Sequence, residues 1–371
     1  MKICLITNNL EMRDGWGSYS RSLVLGLLKN NVEVDVLTAY NQPDVDISNL
    51  KVHKVLPKLF VPRFKKLYYL CKNYFKIRKV INNCDLVHVA VEPYSALLFS
   101  LIKKKPYYIT AHGTYAVHPL TKKYLFRIYK KVYTRAKQII CISKFTQNKL
   151  LGKLELKNTC VIPNGVNLSK FTVNNSLKTK SEFQFLGVGV MIARKGYHLV
   201  ISALGKIKHL LPEFKFKYII LGRVHNKRYH QELLRLIKEN DLENQVIFKQ
   251  NLKEQDLTEL YQSSDLFVLI PEQKGESKFE GFGLVYLEAM ATHTPVLAST
   301  NSAAEEFIKD KENGFLANPD IESVYIKIKE ILDTPELLKE VANNGRTTAK
   351  EFDWGVIVPR YIEIYESTKT S

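Results

Sequence analysis

The chain has 371 residues, of which 45% are hydrophobic and 25% charged, and its formal net charge is +18. At about 150 residues per domain this length predicts two domains, each able to bury a core. The composition excludes a disordered or low-complexity chain, and no apolar run reaches the roughly 18 residues of a transmembrane helix, because Glu92 and Pro93 break the best stretch, Val87 to Ile102.

The first predicted element is a strand, Lys2–Thr7. The apolar run of this start is too short for a signal peptide. A loop, Asp14-Gly15-Trp16-Gly17-Ser18, leads into a helix over Ser18–Asn30. A strand over Val32–Thr38 follows. The stretch Lys51 to Asn83 then holds ten Lys/Arg and no acid, interleaved with Phe60, Phe64, Tyr68, Tyr69, Tyr74 and Phe75. Within it Pro62–Asn82 reads as a helix carrying Phe64, Tyr68 and Phe75 together with Lys65, Lys72, Lys76 and Lys79. It is either a core-facing apolar stripe with a solvated basic face or a membrane-docking helix. Strands over Leu86–Val91, Tyr107–Ala111 and Gln138–Ile142 complete a first series. The segment Asn167–Ser181, rich in Asn, Ser, Thr and Lys, reads as a linker.

A second series of strands follows at Phe183–Val188, Phe216–Leu221, Val246–Phe248, Leu266–Leu269 and Pro295–Ala298. Helices over Gly196–Leu210 and Arg228–Asn240 lie between them. This alternation predicts an α/β protein with two doubly wound parallel sheets, facing each other across a cleft. In such sheets ligands bind beyond the carboxyl ends of the strands. Five cysteines (Cys4, Cys71, Cys84, Cys141 and Cys160) without a CxxC pair predict a reduced, cytosolic protein with no disulfide or zinc framework.

The charge is unevenly placed. Residues 1–170 hold 29 Lys+Arg and 9 Asp+Glu, a balance of +20; the remaining 26 and 28 balance at −2. A lysine-rich solvated surface leaves the asymmetry unexplained. Nucleic acid and an anionic membrane both fit basic residues mixed with aromatics, and each surface Lys/Arg contributes about 1 kcal/mol at a membrane.

The first loop lacks the dinucleotide fingerprint. GxGxxG needs glycine where Ser20 stands, and the second strand ends near Thr38 and Ala39 without an acid, so NAD binding is poorly supported. A plain strand-to-helix turn and a phosphate or sugar contact both remain open there. In the second half Gly187-Val188-Gly189 closes a strand, and Arg194-Lys195-Gly196 opens the next helix. Two cations there suit a diphosphate, or form a solvated pair. The segment Glu280-Gly281-Phe282-Gly283-Leu284-Val285-Tyr286-Leu287-Glu288 puts one carboxylate on a loop and one a turn inside a helix, with a phosphate-sized glycine nest between. That pattern suits a sugar nucleotide. The alternative is an ordinary helix start with a surface Glu.

These residues resemble a known family. Glu280 to Glu288, followed by Ala289-Met290-Ala291-Thr292-His293-Thr294-Pro295-Val296, is similar to the donor-site motif of the retaining glycosyltransferases of family 4, which have the GT-B fold. Asp14-Gly15-Trp16-Gly17 resembles that family's first loop, Thr110-Ala111-His112-Gly113 its His-Gly segment, and Cys141-Ile142-Ser143-Lys144-Phe145 its Val-Ser strand end. Val161-Ile162-Pro163-Asn164-Gly165-Val166-Asn167 resembles the interdomain "IPNGVD", Arg194-Lys195-Gly196 the "KG" helix start, and Phe352-Asp353-Trp354 the terminal "FsW". The ordered matches span nearly the whole chain.

The resemblance implies two Rossmann-like domains. Residues 1–168 would take the acceptor, with a C-terminal helix of about 354–371 packing back on them, and residues 169–353 would take the nucleotide-sugar donor. Lys195, with Arg194, would bind the diphosphate. Glu280 would hold the transferred sugar, and the backbone from Gly281 through Phe282, Gly283, Leu284 and Val285 would meet sugar and phosphate. Glu288 would bind ribose, and His112 would contact the donor sugar. Gly15 and Gly17 would let the first loop close on the diphosphate. Three positions depart from the family: Val190 stands where arginine is usual, Asn167 replaces the aspartate of "NGVD", and Asp14 replaces a glycine, so that its carboxylate must point away from a diphosphate or meet a cation.

The implied activity is metal-independent transfer of a sugar from a UDP- or GDP-sugar to a hydroxyl, with retention. No cofactor and no metal are expected, since the one DxD, Asp44-Val45-Asp46, reads as a solvated turn and His112 and His118 lack a third ligand. The +20 half gives a reason for a lipid-linked or glycan acceptor at the inner face of the cell membrane, with a cytoplasmic, peripheral enzyme and no nucleic-acid partner. Trp16 is placed to stack on an acceptor sugar or to pack its own loop. A sugar-nucleotide epimerase on the same fold and a basic nucleic-acid-binding protein are the alternatives; neither accounts for the ordered motifs as well.

Overall fold

A computed structural model describes residues 1–12, 14–172, 182–273, 275 and 277–367. Its contacts divide the chain into two compact units: Met1–Gly165 with the chain from Trp354 onward, and Val166–Asp353.

In the first unit seven strands form one parallel sheet: β1 Lys2–Ile6, β2 Glu33–Ala39, β3 Lys51–Leu56, β4 Leu86–Val89, β5 Tyr107–Ala111, β6 Gln138–Cys141 and β7 Thr159–Val161. Their order is β3-β2-β1-β4-β5-β6-β7. In the second unit six strands do the same: β8 Phe183–Val188, β9 Phe216–Leu221, β10 Val246–Lys249, β11 Leu266–Val268, β12 Val296–Ser299 and β13 Phe315–Ala317, in the order β10-β9-β8-β11-β12-β13. Each order reverses at its first strand, β1 or β8. That reversal opens a crevice at the carboxyl ends of the strands, where α/β proteins place their ligands. The inner strands are unbroken apolar runs because helices cover both faces: Ile3 to Ile6 and all of Tyr107–Ala111 are buried.

Sequence patterning missed β3, β7 and β13, and all three lie at sheet edges. β3 reads Lys-Val-His-Lys-Val-Leu and only its end is buried, while β7 and β13 have three residues each. Short, polar edge strands protect a sheet from further pairing and leave little apolar periodicity to detect.

The first helix, α1 (Gly15–Lys29), begins three residues earlier than the expected Ser18, so the glycines of the first loop lie in a helical turn. The reason is Asp14. Its carboxylate caps the helix, accepting the Gly17 N–H at 2.9 Å on one oxygen and the Asn9 amide at 2.9 Å on the other. Helix α2 (Arg63–Asn82) buries only Ile77, Val80 and Ile81, at its far end. Of the segment expected to be a linker, residues 173–181 lie outside the described residues. Its first part is held in the second unit: Phe171 is buried, edge-on to Tyr261.

In the last helix, α6 (Trp354–Glu366), Trp354, Ile357, Val358 and Tyr361 join the core of the first unit with Tyr19, Leu23 and Leu27. The expected helix ran to 371, of which residues 368–371 lie outside the described residues. A buried polar chain runs along this contact. Tyr19 hydrogen-bonds Tyr361 at 3.0 Å and Thr110 at 2.7 Å, and His88 joins Thr110 at 2.7 Å and the Tyr365 hydroxyl. Burial, with His112 nearby, pushes His88 down to about 3, so it is neutral. All five cysteines are free.

Candidate active site

In the second unit the chain leaves β8 through Gly189 and makes a single tight turn, Ala193–Lys195. Helix α3 (Tyr197–Leu210) starts after it, so Arg194 and Lys195 sit in a turn ahead of the helix rather than in its first turn. Gly196 joins the two with φ +71°, and a Cβ there would lie 1.8 Å from the Ile270 carbonyl oxygen. Only glycine fits, and the close approach holds the Arg194-Lys195 turn against the chain that follows β11.

That contact brings the two cations to Glu280. Arg194 Nη1 lies 2.5 Å and Lys195 Nζ 3.0 Å from Glu280 Oε2, with the three side chains between 11% and 24% exposed. Burial pushes the Glu280 carboxyl up, but Lys195 and Arg194 outweigh it and hold it at about 2. Glu280 is therefore a carboxylate at any working pH. The three side chains together keep one net positive charge, which suits an anion.

Glu280 leads directly into helix α5 (Leu284–Ala291). Gly283 precedes it with φ +93°, and a Cβ there would strike the Tyr286 ring at 2.6 Å. The N-cap, Gly283, has no side chain to cap the helix, which suits a helix start that meets a bound anion. Phe282 is buried against Phe307 and Phe352, which anchors the turn from below. Gly281 is buried, while Leu284 and Val285 are half-buried. Glu288, one turn into α5, accepts a 2.8 Å hydrogen bond from the Tyr261 hydroxyl.

Sequence reading missed the groups behind this cluster. Glu272 N–H donates to the Arg194 carbonyl at 2.9 Å, and its carboxylate lies 3.3 Å from His198 Nε2. His198 in turn meets the Tyr229 hydroxyl at 3.0 Å through Nδ1. The only available signal was an acid directly after Pro271 at the end of an apolar run.

In the first unit His112 follows β5. Its ring Nε2–H donates to the Ala90 carbonyl at 2.8 Å, and its backbone N–H donates to Glu92 Oε1 at 2.6 Å. Burial pushes the ring down to about 4, so it is a neutral imidazole whose acceptor nitrogen is Nδ1. Glu92, which carries no motif in the sequence, is fully buried; burial lifts its carboxyl to about 8 against the His112 N–H and its own backbone N–H, which pull it down. Gly17 packs where a Cβ would meet the Glu11 carbonyl at 2.0 Å, whereas Gly15 faces open space. Asp14 is occupied as a helix cap, and Val190 brings no charge to the cation cluster. Among the described residues no three His, Cys, Asp or Glu side chains gather as a metal site.

Each unit thus presents polar groups at the carboxyl edge of a doubly wound sheet, the arrangement of a two-domain nucleotide-sugar transferase. Residues 169–348 match the model of the glycosyl transferases group 1, and residues 13–170 match that of Glycosyltransferase Family 4. An uncharacterized glycosyltransferase of Methanocaldococcus jannaschii is 29% identical over 349 residues, covering 91% of this chain and 90% of that protein. The N,N'-diacetylbacillosaminyl-diphospho-undecaprenol alpha-1,3-N-acetylgalactosaminyltransferase of Campylobacter jejuni is 24% identical, covering 81% and 82%. Among solved structures, Anabaena HepE in complex with UDP and glucose superposes with a TM-score of 0.81 at 20% identity, over 99% of this chain and all of that one. The fold is GT-B. The chain belongs to family 4 of the glycosyltransferases, a retaining family, and is a nucleotide-sugar glycosyltransferase.

Proposed function

We propose that this enzyme transfers a sugar from a UDP- or GDP-sugar to a hydroxyl of a lipid-linked or glycan acceptor in cell-surface polysaccharide, lipopolysaccharide or glycolipid synthesis, without a metal. The observation that carries the reading is the Arg194–Lys195–Glu280 cluster beside the glycine-led start of α5. Bond breaking at the anomeric carbon places negative charge on the leaving diphosphate. Preorganised cations and helix N–H groups stabilise that charge, and they require no reorganisation as it develops. Lys195 and Arg194 take this role with the N–H groups from Phe282 to Val285. Glu280, always ionised, accepts hydrogen bonds from sugar hydroxyls, and Glu288 accepts them from ribose. His112 Nδ1 accepts one more from the sugar. Glu280 and His112 act as positioning groups rather than nucleophiles.

In this reading residues 169–353 bind the donor, and residues 1–168 with the C-terminal helix take the acceptor. The excess charge of residues 1–170 favours an acceptor at an anionic, cytoplasmic membrane surface, with α2 as the docking element. The lipid-linked acceptor named in the Campylobacter relative's activity supports the same choice. Calorimetric titration with UDP, GDP and ADP, without metal and repeated on Lys195→Ala, tests the donor half. We expect one nucleotide to bind and the substitution to weaken it; equal binding by the variant would remove the assignment. For the membrane half, replacing Lys65, Lys66, Lys72 and Lys76 by Glu should abolish binding to anionic vesicles, and unchanged binding would sink it.

A further inference from the structure

Three aromatic side chains from three separate segments of the first unit meet at its surface. Trp16 follows β1, Phe60 follows β3, and Tyr115 follows β5. The Trp16 and Tyr115 rings are 4.7 Å apart between centroids, and the Tyr115 and Phe60 rings 6.1 Å. This is a tertiary cluster, yet Phe60 is 76% and Tyr115 43% exposed, with Trp16 half-buried. Aromatic rings carry the largest burial gain of any side chain, so a contiguous exposed group of them marks a surface that something covers.

The two ends of the row differ. Tyr115 is three residues beyond His112 and Trp16 lies in the first turn of α1, so one end belongs to the strand-end crevice. Phe60 lies three residues before Arg63, where α2 starts, and α2 itself exposes Phe64, Leu67, Tyr68, Cys71 and Phe75. Cations border this end: Arg63 stacks over the exposed Tyr124 ring at 5.7 Å, and Lys65, Lys72 and Lys76 flank the stripe. A ligand that fits both ends is apolar toward α2 and polar toward His112.

We propose that the Phe60–Tyr115–Trp16 row holds the apolar chain of an amphiphilic acceptor, a lipid-linked saccharide, where the chain leaves the bilayer and its head group enters the crevice. This deepens the function proposed above and rests on it. The row selects acceptors that carry a lipid anchor, separately from the docking of α2 on the membrane.

The protein supplies two native reporters that separate the two ideas. Its tryptophans are Trp16 and the core residue Trp354, so the difference between wild type and Trp16→Phe isolates Trp16. Cys71 is exposed on α2 while the other cysteines are buried or half-buried, so a bimane label there reports α2. Vesicles of phosphatidylglycerol and phosphatidylcholine with brominated chains should quench both reporters, Trp16 by about half if it reaches the acyl boundary. Monomeric octyl glucoside should shift Trp16 emission, and glucose at equal concentration should not. The double variant Phe60→Ser/Tyr115→Ser should lose most of the Trp16 response and keep that of Cys71. Quenching at Cys71 by vesicles, with Trp16 silent to both vesicles and octyl glucoside, would overturn the row and leave α2 docking intact. An equal response to glucose would make the row a bare sugar platform, and a response to protein concentration alone would make it a self-association surface; either overturns the proposal. A Trp16 response to octyl glucoside with both reporters silent to vesicles would keep the row and remove membrane docking. Silence of Trp16 toward every probe overturns the row.

Discussion

Glu92 and Glu280 each lie near the carboxyl edge of a parallel sheet, one per unit, and their chemistry is opposite. Burial pushes both carboxyls up. Glu280 has Lys195 and Arg194 on one oxygen, and falls to about 2. Glu92 has backbone N–H groups for partners, Oε2 makes no hydrogen bond, and the carboxyl rises to about 8. The ionisable groups that sense it are Tyr19, Tyr129, Tyr133 and Cys141, none of them a cation. Burial alone does not set the state of a carboxyl; the presence of a cation on the same oxygen does. One site is built to hold charge and the other to hold a backbone in place.

The comparison breaks most severely in the variant Arg194→Ala/Lys195→Ala. Two charge-assisted contacts of about 1.5–3 kcal/mol each are lost, so nucleoside diphosphate affinity should fall at least about a hundredfold by calorimetry. Glu280 should also come to behave like Glu92. In the wild type, its lowered value contributes stability above the ordinary carboxyl range, which is lost as pH falls through about 2. With no cation present, burial should raise its carboxyl above the ordinary range, and the variant should lose stability as pH rises. Wild type and variant with parallel stability–pH curves in scanning calorimetry would refute this.

A smaller effect follows from Glu92. A carboxyl raised from 4.5 to about 8 contributes stability that is complete below 4.5 and is lost as pH climbs through 8. Glu92→Gln cannot ionise, so its stability relative to wild type should improve steadily across that window. Both tryptophans lie in the first unit, so their fluorescence reads this unit's unfolding directly. A difference independent of pH would show that Glu92 is ionised throughout.

The smallest expected change sharpens a second contrast. Helix α4 (Lys227–Glu239) buries Tyr229, Leu233 and Ile237, spaced four apart, whereas α2 leaves Phe64, Tyr68 and Phe75 from 60% to 79% exposed. Phe75→Ala should change stability by less than about 0.5 kcal/mol in denaturant titration, because the ring is exposed and meets only the neighbouring Tyr74 ring among the described aromatic contacts. A loss of several kcal/mol would mean that Phe75 is covered in solution.

The alternation of apolar strands and amphipathic helices, together with the motif order from Asp14 to Trp354, determined the fold class and the family. These are local signals: a buried parallel strand must be apolar on both faces, and a turn such as Gly196 or Gly283 must be glycine. The resemblance carried by those motifs implied that Lys195, Glu280 and the start of α5 serve one donor, and the pairing of β8 with β11 brings them together. Local patterning does not decide which face of a helix finds a neighbour. Both α2 and α4 carry apolar residues about a turn apart, but in α4 they form the covered stripe, whereas in α2 Phe64, Tyr68 and Phe75 stay exposed and only Ile77, Val80 and Ile81 are buried. Glu92, Tyr261 and the Trp16–Tyr115–Phe60 row escaped the sequence for the same reason. Burial and contact between distant segments are properties of the assembled sheet, and the local sequence carries no record of them.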